Sequence, residues 1–311
     1  MNRVFISDCE GPISKNDNAF EVTSHFVPNG DRLFTVLSRY DDVLADVMKR
    51  PGYKPGNTLK LILPFRKAYG VTDQNIEEFS VRNLTLISDV KTALQHIQTM
   101  AHAFIVSTSY EQYIRKLCQI IRFPYRNTYC TKLNLDKFNL IPEEKTKLRE
   151  LAKEISSMPL IEIPSEAESI EDFSEEHRET ILRLDEIFWT EIDNMKSNQI
   201  LEDVHPIGGV EKASAIEDAS NRVEVDLSKV IYVGDSITDV EAFNLVKEND
   251  GLTVSFNGNQ YAIRNAEIAV LSETSLVTAV ITDFFFKFGK QKTLNLAEEW
   301  NREILKKADL D

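Results

Sequence analysis

Two pairs of carboxylates follow strand-like segments that lie far apart in the chain. Asp8 comes directly after the apolar run VFIS, and Glu10 follows two residues later. Asp235 comes directly after a second run, VIYVG, and Asp239 follows four residues later. Because ligands bind at the carboxyl ends of parallel strands, we expect these acids to converge if the two strands are neighbours. Crowded carboxylates repel one another unless a cation lies among them, and oxygen-only ligands favour Mg²⁺ over a transition metal.

A pair of hydroxyls and a lysine complete this set of candidate residues. Ser107 ends the run AFIVS and Thr108 follows it, while Lys212 comes just after the Gly-Gly turn of GGVEKASAI. A metal and an ammonium group would balance the charge of a phosphoryl group, and hydroxyl and backbone N–H groups would bond its oxygens. These residues therefore indicate a phosphoryl-binding cradle beside the acids.

Each candidate also has a simpler structural interpretation. The Ser-Thr-Ser run that begins at Ser107 is suited to capping a helix, and Lys212 is compatible with an ordinary surface lysine. Asp239 is placed to compensate the partial charge of a helix N-terminus, and Asp8 and Glu10 are compatible with a turn at a strand end. The order of the four segments, each at a strand or helix end, favours the site.

Strand-like runs alternate with helical patterns along much of the chain. The predicted strands are Val4–Ser7, Ala103–Ser107, Val230–Gly234, Leu252–Phe256 and Ile268–Leu271. The helical patterns between them are Asp89–Thr99, Tyr110–Ile121 and Lys212–Ser220. This alternation predicts an α/β fold with a Rossmann-like parallel sheet and helices on both of its faces.

Two long inserts with helical patterns interrupt the alternation. The first covers residues 14–83 and is broken by the loop RPGYKPGN, and the second covers residues 140–205, with its clearest helix at Ser174–Met195. The remaining segments are expected to form one discontinuous core domain, made of residues 1–13, 84–139 and 206–311.

The second insert carries most of the negative charge. The chain has a net charge of −14, and residues 143–203 contain 18 acids and 7 bases, a net charge of −11. Such a segment would repel anionic substrates if it covered the site. We therefore expect it to face outward, either as a solvated surface or as a docking surface for a protein partner.

The composition argues against several classes of protein. A net charge of −14 disfavours nucleic acid as the main partner. The longest apolar run is interrupted by Asp283 and the N-terminus does not resemble a signal peptide, so we expect no membrane span and a cytoplasmic location. The sparse cysteines Cys9, Cys118 and Cys130 indicate neither a disulfide framework nor a zinc site, and Cys9 is expected to be a small buried residue rather than a nucleophile.

The order of these motifs resembles that of the haloacid dehalogenase (HAD) superfamily, and in particular its phosphoserine-phosphatase-like hydrolases. The resemblance rests on D-x-E-G, the serine at the second strand end, the lysine after Gly-Gly, and G-D-x-x-x-D, and it covers residues 1–13, about 84–132 and 206–290. Most members of this superfamily are Mg²⁺-dependent phosphatases. The whole chain also resembles a small archaeal group of HAD proteins, some of which are named subunit R of energy-converting hydrogenase A.

The resemblance implies a role for each matching position. Asp8 would be the nucleophile and form an aspartyl-phosphate, and Glu10 would protonate the leaving group and then activate water. The carboxylates of Asp8 and Asp235 and the backbone carbonyl of Glu10 would bind Mg²⁺, supported by Asp239. The phosphoryl group would be held by Ser107, Thr108 and Lys212.

The first motif departs from the usual superfamily pattern. Here it reads D-C-E-G-P, where most members have D-x-D-G-T. The enolase-phosphatases of methionine salvage also carry Glu at this place, so Glu10 does not exclude hydrolysis. Pro12 lacks a backbone N–H and fixes φ, which alters the turn that leads into the first insert.

In this superfamily, inserts at these two places are caps that close over the substrate. We therefore expect residues 14–83 to form a helical cap. Its cations are candidates for binding an anionic substrate group, with a solvated helix face as the alternative: Arg32, Arg39, Arg66 and Lys67.

Two functions are consistent with the sequence. The first is a Mg²⁺-dependent phosphomonoester hydrolase that acts through Asp8 on a small phosphorylated metabolite. The second is a catalytically weak accessory protein of the same fold, which binds a metal or a phosphorylated ligand and docks a protein partner, such as a hydrogenase complex, through its acidic insert at 143–203. The intact set of candidate site residues favours the hydrolase.

Overall fold

The computed structural model of the chain describes residues 2–307. Its strands are β1 (Val4–Ser7), β2 (His102–Tyr110), β3 (Thr128–Thr131), β4 (Val230–Gly234), β5 (Leu252–Phe256) and β6 (Ile268–Val270). They form one parallel sheet in the order β3-β2-β1-β4-β5-β6. The predicted α/β fold with a Rossmann-like sheet is confirmed, and β3 is an edge strand that the sequence did not predict.

Helices surround the sheet and build both inserts. They are α1 (Asn18–Phe26), α2 (Gly30–Asp42), α3 (Thr58–Leu61), α4 (Leu63–Ala68), α5 (Asp73–Asn83), α6 (Val90–Met100), α7 (Glu111–Ile121), α8 (Pro142–Ser157), α9 (Glu175–Glu186), α10 (Asn198–Asp203), α11 (Val210–Arg222), α12 (Val240–Glu248), α13 (Gln260–Asn265), α14 (Leu276–Phe288), α15 (Lys290–Glu298) and α16 (Arg302–Lys307). Helices α2 and α9 each continue into a π-helical turn, at Val43–Val47 and Ile187–Ile192.

Strand β1 is fixed between two apolar layers. Its side chains alternate between them: Phe5 packs with residues of α6, α7 and α14, whereas Val4 and Ile6 pack with residues of α11 and α12. All four residues of β1 are buried because helices cover both faces of the sheet. The residues that follow β1 therefore emerge at a well-fixed edge.

The sheet order brings three predicted strand ends together. β1 lies between β2 and β4, and Ile6 pairs with Phe104 on one side and with Tyr232 on the other. After β1 the chain builds β2 and β3 on one side of it and then crosses to build β4, β5 and β6 on the other side. This reversal of strand order creates a crevice at the carboxyl ends of β1, β2 and β4. The candidate residues after β1, β2 and β4 lie at this crevice.

The two inserts share one hydrophobic cluster. Helix α8 of the second insert packs against α2 and α4 of the first. The Phe188 ring lies 6.0 Å from the rings of both Tyr40 and Phe65, measured between centroids. The second insert thus supports the first, while the division into core, cap and insert at the boundaries given above stays a prediction.

Two expectations from composition can be compared with the structure. Across the described part of the chain, no helix combines the length and the apolar character that a membrane crossing requires. The three cysteines are free and buried, and Cys9 has no exposed surface. The expectation that Cys9 is a small buried residue is therefore confirmed.

Candidate active site

Asp8 is held firmly at the end of β1. Its backbone N–H donates to the Val233 carbonyl at 2.7 Å, which extends the pairing with β4 by one residue. Its carboxylate accepts hydrogen bonds from the Cys9 N–H at 2.6 Å and from Lys212 Nζ at 2.6 Å. Burial raises the pKa of Asp8 to about 6, against the opposing effect of Lys212. The carboxylate is therefore largely ionised at neutral pH.

Lys212 is fully buried between two carboxylates. It lies in the first turn of α11, and its Nζ donates to Asp8 Oδ2 at 2.6 Å and to Asp239 Oδ1 at 2.7 Å. Burial opposes the charge of Lys212, but Asp239 and Asp8 outweigh it and raise its pKa. The alternative interpretation of Lys212 as a surface lysine is therefore wrong.

Asp239 organises the loop after β4. Its carboxylate is fully buried and accepts from the Tyr232 hydroxyl at 2.5 Å and from the N–H groups of Asp235 and Ser236 at 2.9 and 3.0 Å, in addition to Lys212. Burial opposes ionisation, but Lys212 and the other donors prevail and lower the pKa of Asp239. Its two oxygens are occupied by these donors, so Asp239 is suited to fixing its neighbours.

Asp235 lies beside Asp8 in a group of three acids. One carboxylate oxygen from each of Asp8, Asp235 and Asp239 lies within 4.8 Å of the others. Burial, Asp8 and Asp239 raise the pKa of Asp235 well above its usual value. A cation at this place would relieve that repulsion, and the oxygen donors suit a hard cation such as Mg²⁺. The residues present therefore fit a Mg²⁺ site.

Gly11 allows Asp235 to approach the first motif. Its φ of +87° favours glycine, and a Cβ added to it would lie 2.5 Å from Asp235 Cγ. A larger residue would therefore strain the turn and displace the carboxylate. This contact explains why glycine follows the two acids of the first motif.

The Glu10 carboxylate turns toward the first insert. Its Oε1 accepts from the N–H of Asn18, the first residue of α1, at 2.7 Å. Burial and the nearby Asp17 raise the pKa of Glu10 to about 8, against that hydrogen bond, so the group carries a proton at neutral pH. Of the four acids predicted to converge, the structure thus groups the carboxylates of Asp8, Asp235 and Asp239, and the fourth acid, Glu10, lines the same cleft as Asp8 and Asp235.

Ser107 and Thr108 lie at the end of the regular part of β2. Ser107 is buried and its Oγ accepts from the Ser109 N–H at 3.2 Å. The buried hydroxyl of Thr108 has no hydrogen-bond partner among residues 2–307, although it lines the cleft. Helix α7 begins later, at Glu111, and its cap residue is Tyr110, so Ser107 does not cap it. Thr108 therefore brings a buried hydroxyl without a described partner to the cleft, while the Ser107 hydroxyl already accepts a hydrogen bond from the backbone.

These residues line one wall of a cleft of about 370 Å³ between the sheet edge and the first insert. The core wall includes Asp8, Glu10, Ser107, Thr108 and Asp235. The insert wall includes Lys15, Asp17, Phe34, Ser38, Asp41 and Asp42. These insert residues lie outside the sequence motifs, although Phe34, Ser38, Asp41 and Asp42 recur at a spacing that places them on one helix face.

The first insert is closed onto the core. Lys54 forms an ion pair with Glu211 and donates to the Pro206 carbonyl at 2.9 Å. The Tyr261 hydroxyl donates to Asp46 at 3.0 Å, and a Cβ on Gly56 would lie 3.0 Å from the Thr108 side chain. These contacts hold the insert against the core, and Gly56 of the loop between the insert helices lines the cleft.

The four insert cations considered from the sequence lie elsewhere. Arg66 is fully buried and donates to Thr23 and to the Ala19 carbonyl. The Arg32 guanidinium donates to the Met158 carbonyl at 2.7 Å, and Lys67 and Arg39 form ion pairs with acids. Among the described residues that line the cleft, none is one of these four.

Comparison with known proteins identifies the family. Residues 67–283 match the family model of the haloacid dehalogenase-like hydrolases. The chain belongs to the haloacid dehalogenase-like hydrolase family. The matched region contains Ser107, Lys212 and Asp235, while the first motif with Asp8 precedes it. The predicted membership of the HAD superfamily and the predicted class of enzyme, a hydrolase of this family, are confirmed.

Solved structures show the same fold. The gene product AF1437 from Archaeoglobus fulgidus is 27% identical, with a TM-score of 0.82 over 96% of this chain and 87% of that one. A substrate-bound phosphoserine phosphatase is 10% identical, with a TM-score of 0.50 over 88% and 95% of the two chains. A HAD family hydrolase, t0658 from Salmonella enterica serovar Typhi, is 10% identical, with a TM-score of 0.52 over 86% and 67%. A search among curated proteins found no match.

Proposed function

We propose that this HAD-family hydrolase is a Mg²⁺-dependent phosphomonoester hydrolase that acts through Asp8. The observation that carries the proposal is the position of the Asp8 carboxylate. It lies at the end of β1, hydrogen-bonded to Lys212 at 2.6 Å, and it lines a cleft that is also lined by Asp235 and by Thr108, whose hydroxyl has no partner among residues 2–307. The proposed nucleophile Asp8, the proposed metal ligand Asp235 and a hydroxyl that would donate to a phosphoryl oxygen thus line the same cleft.

The proposed first step transfers the phosphoryl group to the protein. One oxygen of Asp8 attacks phosphorus, and the bond from phosphorus to the leaving oxygen breaks as the new bond forms. Glu10, which is protonated at neutral pH, gives its proton to the leaving oxygen. The products of this step are the free alcohol and an aspartyl-phosphate at Asp8.

The proposed second step releases phosphate. A water molecule attacks the phosphorus of the aspartyl-phosphate, and the Glu10 carboxylate takes a proton from that water. The bond between Asp8 and phosphorus breaks, which restores both carboxylates to their starting states. Glu10 therefore serves first as the acid and then as the base.

Mg²⁺ would be held by the carboxylates of Asp8 and Asp235 and by the backbone carbonyl of Glu10. When bound, it would neutralise the charge on the phosphoryl oxygens. Asp239 would act indirectly, since its oxygens hold Lys212 and the N–H groups of the loop after β4. The carboxylates within 4.8 Å and the raised pKa of Asp235 support this assignment.

The phosphoryl group would be bound by Ser107, Thr108 and Lys212. Lys212 supplies a fixed positive charge, and Thr108 supplies a buried hydroxyl that lacks a partner among the described residues. The first insert would act as the cap, and the cleft of about 370 Å³ would limit the substrate to a small phosphorylated metabolite.

Hydrolysis of an aryl phosphate with and without Mg²⁺ tests this proposal. The native chain should turn over only with the metal, and Asp8→Asn should lower kcat by at least about 10³-fold because the nucleophile is lost. Asp31→Asn is a matched control, because Asp31 is an exposed acid at the start of α2. A kcat of Asp8→Asn close to that of the native chain would contradict the proposed mechanism.

The accessory function remains the second candidate because of one observation. Among the residues that the structure describes, none from the acidic second insert lines the cleft, so its charge serves no visible purpose there. Folded native protein that binds Mg²⁺ but hydrolyses neither the aryl phosphate nor a panel of small phosphate esters would favour this candidate.

A further inference from the structure

The insert wall of the cleft is built by one face of α2. Phe34, Ser38, Asp41 and Asp42 follow one another at intervals of four, three and one residues, and all four line the cleft. This spacing places them on neighbouring positions of one helix face. Directly after Asp42 the helix changes to the π-helical turn at Val43–Val47, a feature that is frequent at functional sites.

The acids of this wall differ in how their charges are compensated. Asp17 is the N-cap of α1 and accepts from the Phe20 N–H at 2.9 Å. The positive charge of the buried Arg66 favours the ionised form of Asp17. Asp41 is 3% exposed, and its Oδ2 accepts from the N–H groups of Gly56 and Thr58 and from the Thr58 hydroxyl, at 2.9 to 3.1 Å.

The second oxygen of Asp41 has fewer hydrogen-bond donors around it than the first. Asp41 Oδ1 is buried and makes no hydrogen bond with any described residue, although the Tyr53 hydroxyl lies near enough to lower the pKa of the carboxyl. Burial is the larger effect and raises that pKa. Asp41 therefore brings a buried carboxylate with one unsatisfied oxygen to the cleft wall.

Asp42 has the weakest compensation of the three acids. Its nearest cation is Arg39, whose Nη1 lies 3.7 Å from Asp42 Oδ2 and whose side chain is 54% exposed. Burial and the neighbouring Asp41 raise the pKa of Asp42 to about 7. Within the part of the chain that the structure describes, the one cation that lines the cleft is the exposed Lys15, whereas Lys212 is fully buried and is not a lining residue.

We propose that the substrate is a phosphate monoester whose organic group carries an ammonium charge, which Asp42 binds with Asp41 and Phe34 beside it. This inference rests on the proposed function, because it places the phosphoryl group at the core wall. An ammonium ion would compensate the charges of Asp41 and Asp42, since the exposed Lys15 is the one cation that lines the cleft among the described residues. The Phe34 side chain lines the cleft on the same helix face as these two acids. A carboxylate or a second phosphate at that place would meet two acids and be disfavoured.

Three phosphate monoesters of similar size test the proposal: 2-aminoethyl phosphate, propyl phosphate and phosphoglycolate. They present a cation, a neutral group and an anion to the insert wall. We expect kcat/KM with Mg²⁺ to decrease in that order, with a preference of about tenfold or more for the cation over the neutral ester. The native protein makes this comparison, so it does not depend on the folding of a variant.

Asp42→Asn then locates the preference. The ratio of kcat/KM for 2-aminoethyl phosphate to that for propyl phosphate should fall by about tenfold. Asp31→Asn, at the exposed far end of the same helix, should leave that ratio unchanged. A ratio that is unchanged in Asp42→Asn, accompanied by a shift in the Mg²⁺ concentration for half-maximal activity, would overturn the proposal and assign the acids to a metal.

The outcomes separate this inference from the proposed function. Turnover of the neutral ester without preference for the cation would overturn the inference and leave the phosphatase intact. If no ester is hydrolysed, the proposed function is wrong. The inference is then tested separately, by measuring the binding of the esters to the native chain by calorimetry. Tighter binding of 2-aminoethyl phosphate than of propyl phosphate, lost in Asp42→Asn, supports it, and equal binding overturns it.

Discussion

The two walls of the active-site cleft compensate the charges of their acids by different means. On the core wall, Asp8 and Asp239 share the buried Lys212 at 2.6 and 2.7 Å. On the insert wall, Asp42 faces the half-exposed Arg39 at 3.7 Å. Acids that the fold itself compensates are fixed in place and suited to chemistry. Acids that it leaves undercompensated are suited to recognising a ligand of opposite charge.

The largest effect is expected from removing the shared cation of the core wall. Lys212→Met would leave Asp8 and Asp239 buried without their counter-charge, and breaking a buried pair in this way costs about 3–5 kcal/mol of the free energy of unfolding. We expect a lower midpoint in urea denaturation and no hydrolysis of phosphate esters.

A second substitution provides the control for this prediction. Adding Asp239→Asn to Lys212→Met removes one of the two uncompensated charges, so part of the stability should return while activity stays absent. A urea midpoint for Lys212→Met equal to that of the native protein would show that the stability of the core wall does not depend on Lys212 compensating Asp8 and Asp239. That result would contradict the difference described between the two walls.

A smaller effect is expected from displacing Asp235 without changing any charge. Gly11→Ala would force the Asp235 carboxylate to move, and a displacement of about 1 Å can cost about 10²-fold in rate. Steady-state kinetics would measure the loss of kcat.

Gly52→Ala is a matched control for Gly11→Ala. Gly52 also has a positive φ, of +75°, but a Cβ there would meet no atom of the described chain within 4 Å. Both variants should lose stability of about 1–2 kcal/mol from the strained backbone, and Gly11→Ala alone should lose activity. Equal activity of the two variants would contradict the importance of the Asp235 contact.

The smallest effect is expected on the insert wall. Arg39→Ala removes the cation nearest to Asp42, and because the Arg39 side chain is 54% exposed, stability should change by less than about 1 kcal/mol. The preference for 2-aminoethyl phosphate over propyl phosphate should rise about two- to threefold, since a competing positive charge is gone.

Arg82→Ala is the control for this change, since Arg82 forms a more exposed ion pair with Glu78 on another helix. It should leave the substrate preference as it is. A drop in the preference in Arg39→Ala would show that Arg39 holds Asp42 in its binding position instead of competing for it.

The sequence predicted the sheet and the core wall well because both depend on local patterns. Strands β1, β4 and β5 begin and end where their apolar runs do. The carboxyl ends of parallel strands lie at one edge of a sheet, so the acids after β1 and β4 were expected to converge on the condition that the two strands are neighbours. The structure meets that condition, because β1 pairs with β4. Strand β3, with the short sequence TYCT at the sheet edge, lacks such a run and was missed.

The insert wall could not be predicted in the same way. Which face of α2 meets the core depends on how the insert docks, and its docking contacts join residues that are distant in sequence, such as Lys54 with Glu211 and Asp46 with Tyr261. Arg66 was considered a candidate for substrate binding, yet it is buried against Thr23 and the Ala19 carbonyl, more than forty residues before it. A helical pattern cannot reveal such partners.

The hydrogen bond between the Asn18 N–H and the Glu10 carboxylate joins the first insert to the loop after β1. Asn18 begins the first helix of the insert, whereas Glu10 belongs to the loop that β1 fixes. Any rotation of the insert away from the sheet must break or stretch this bond. The residue proposed to handle the proton is therefore held by a backbone amide of the insert, so a displacement of the insert would also change the environment of the Glu10 carboxyl.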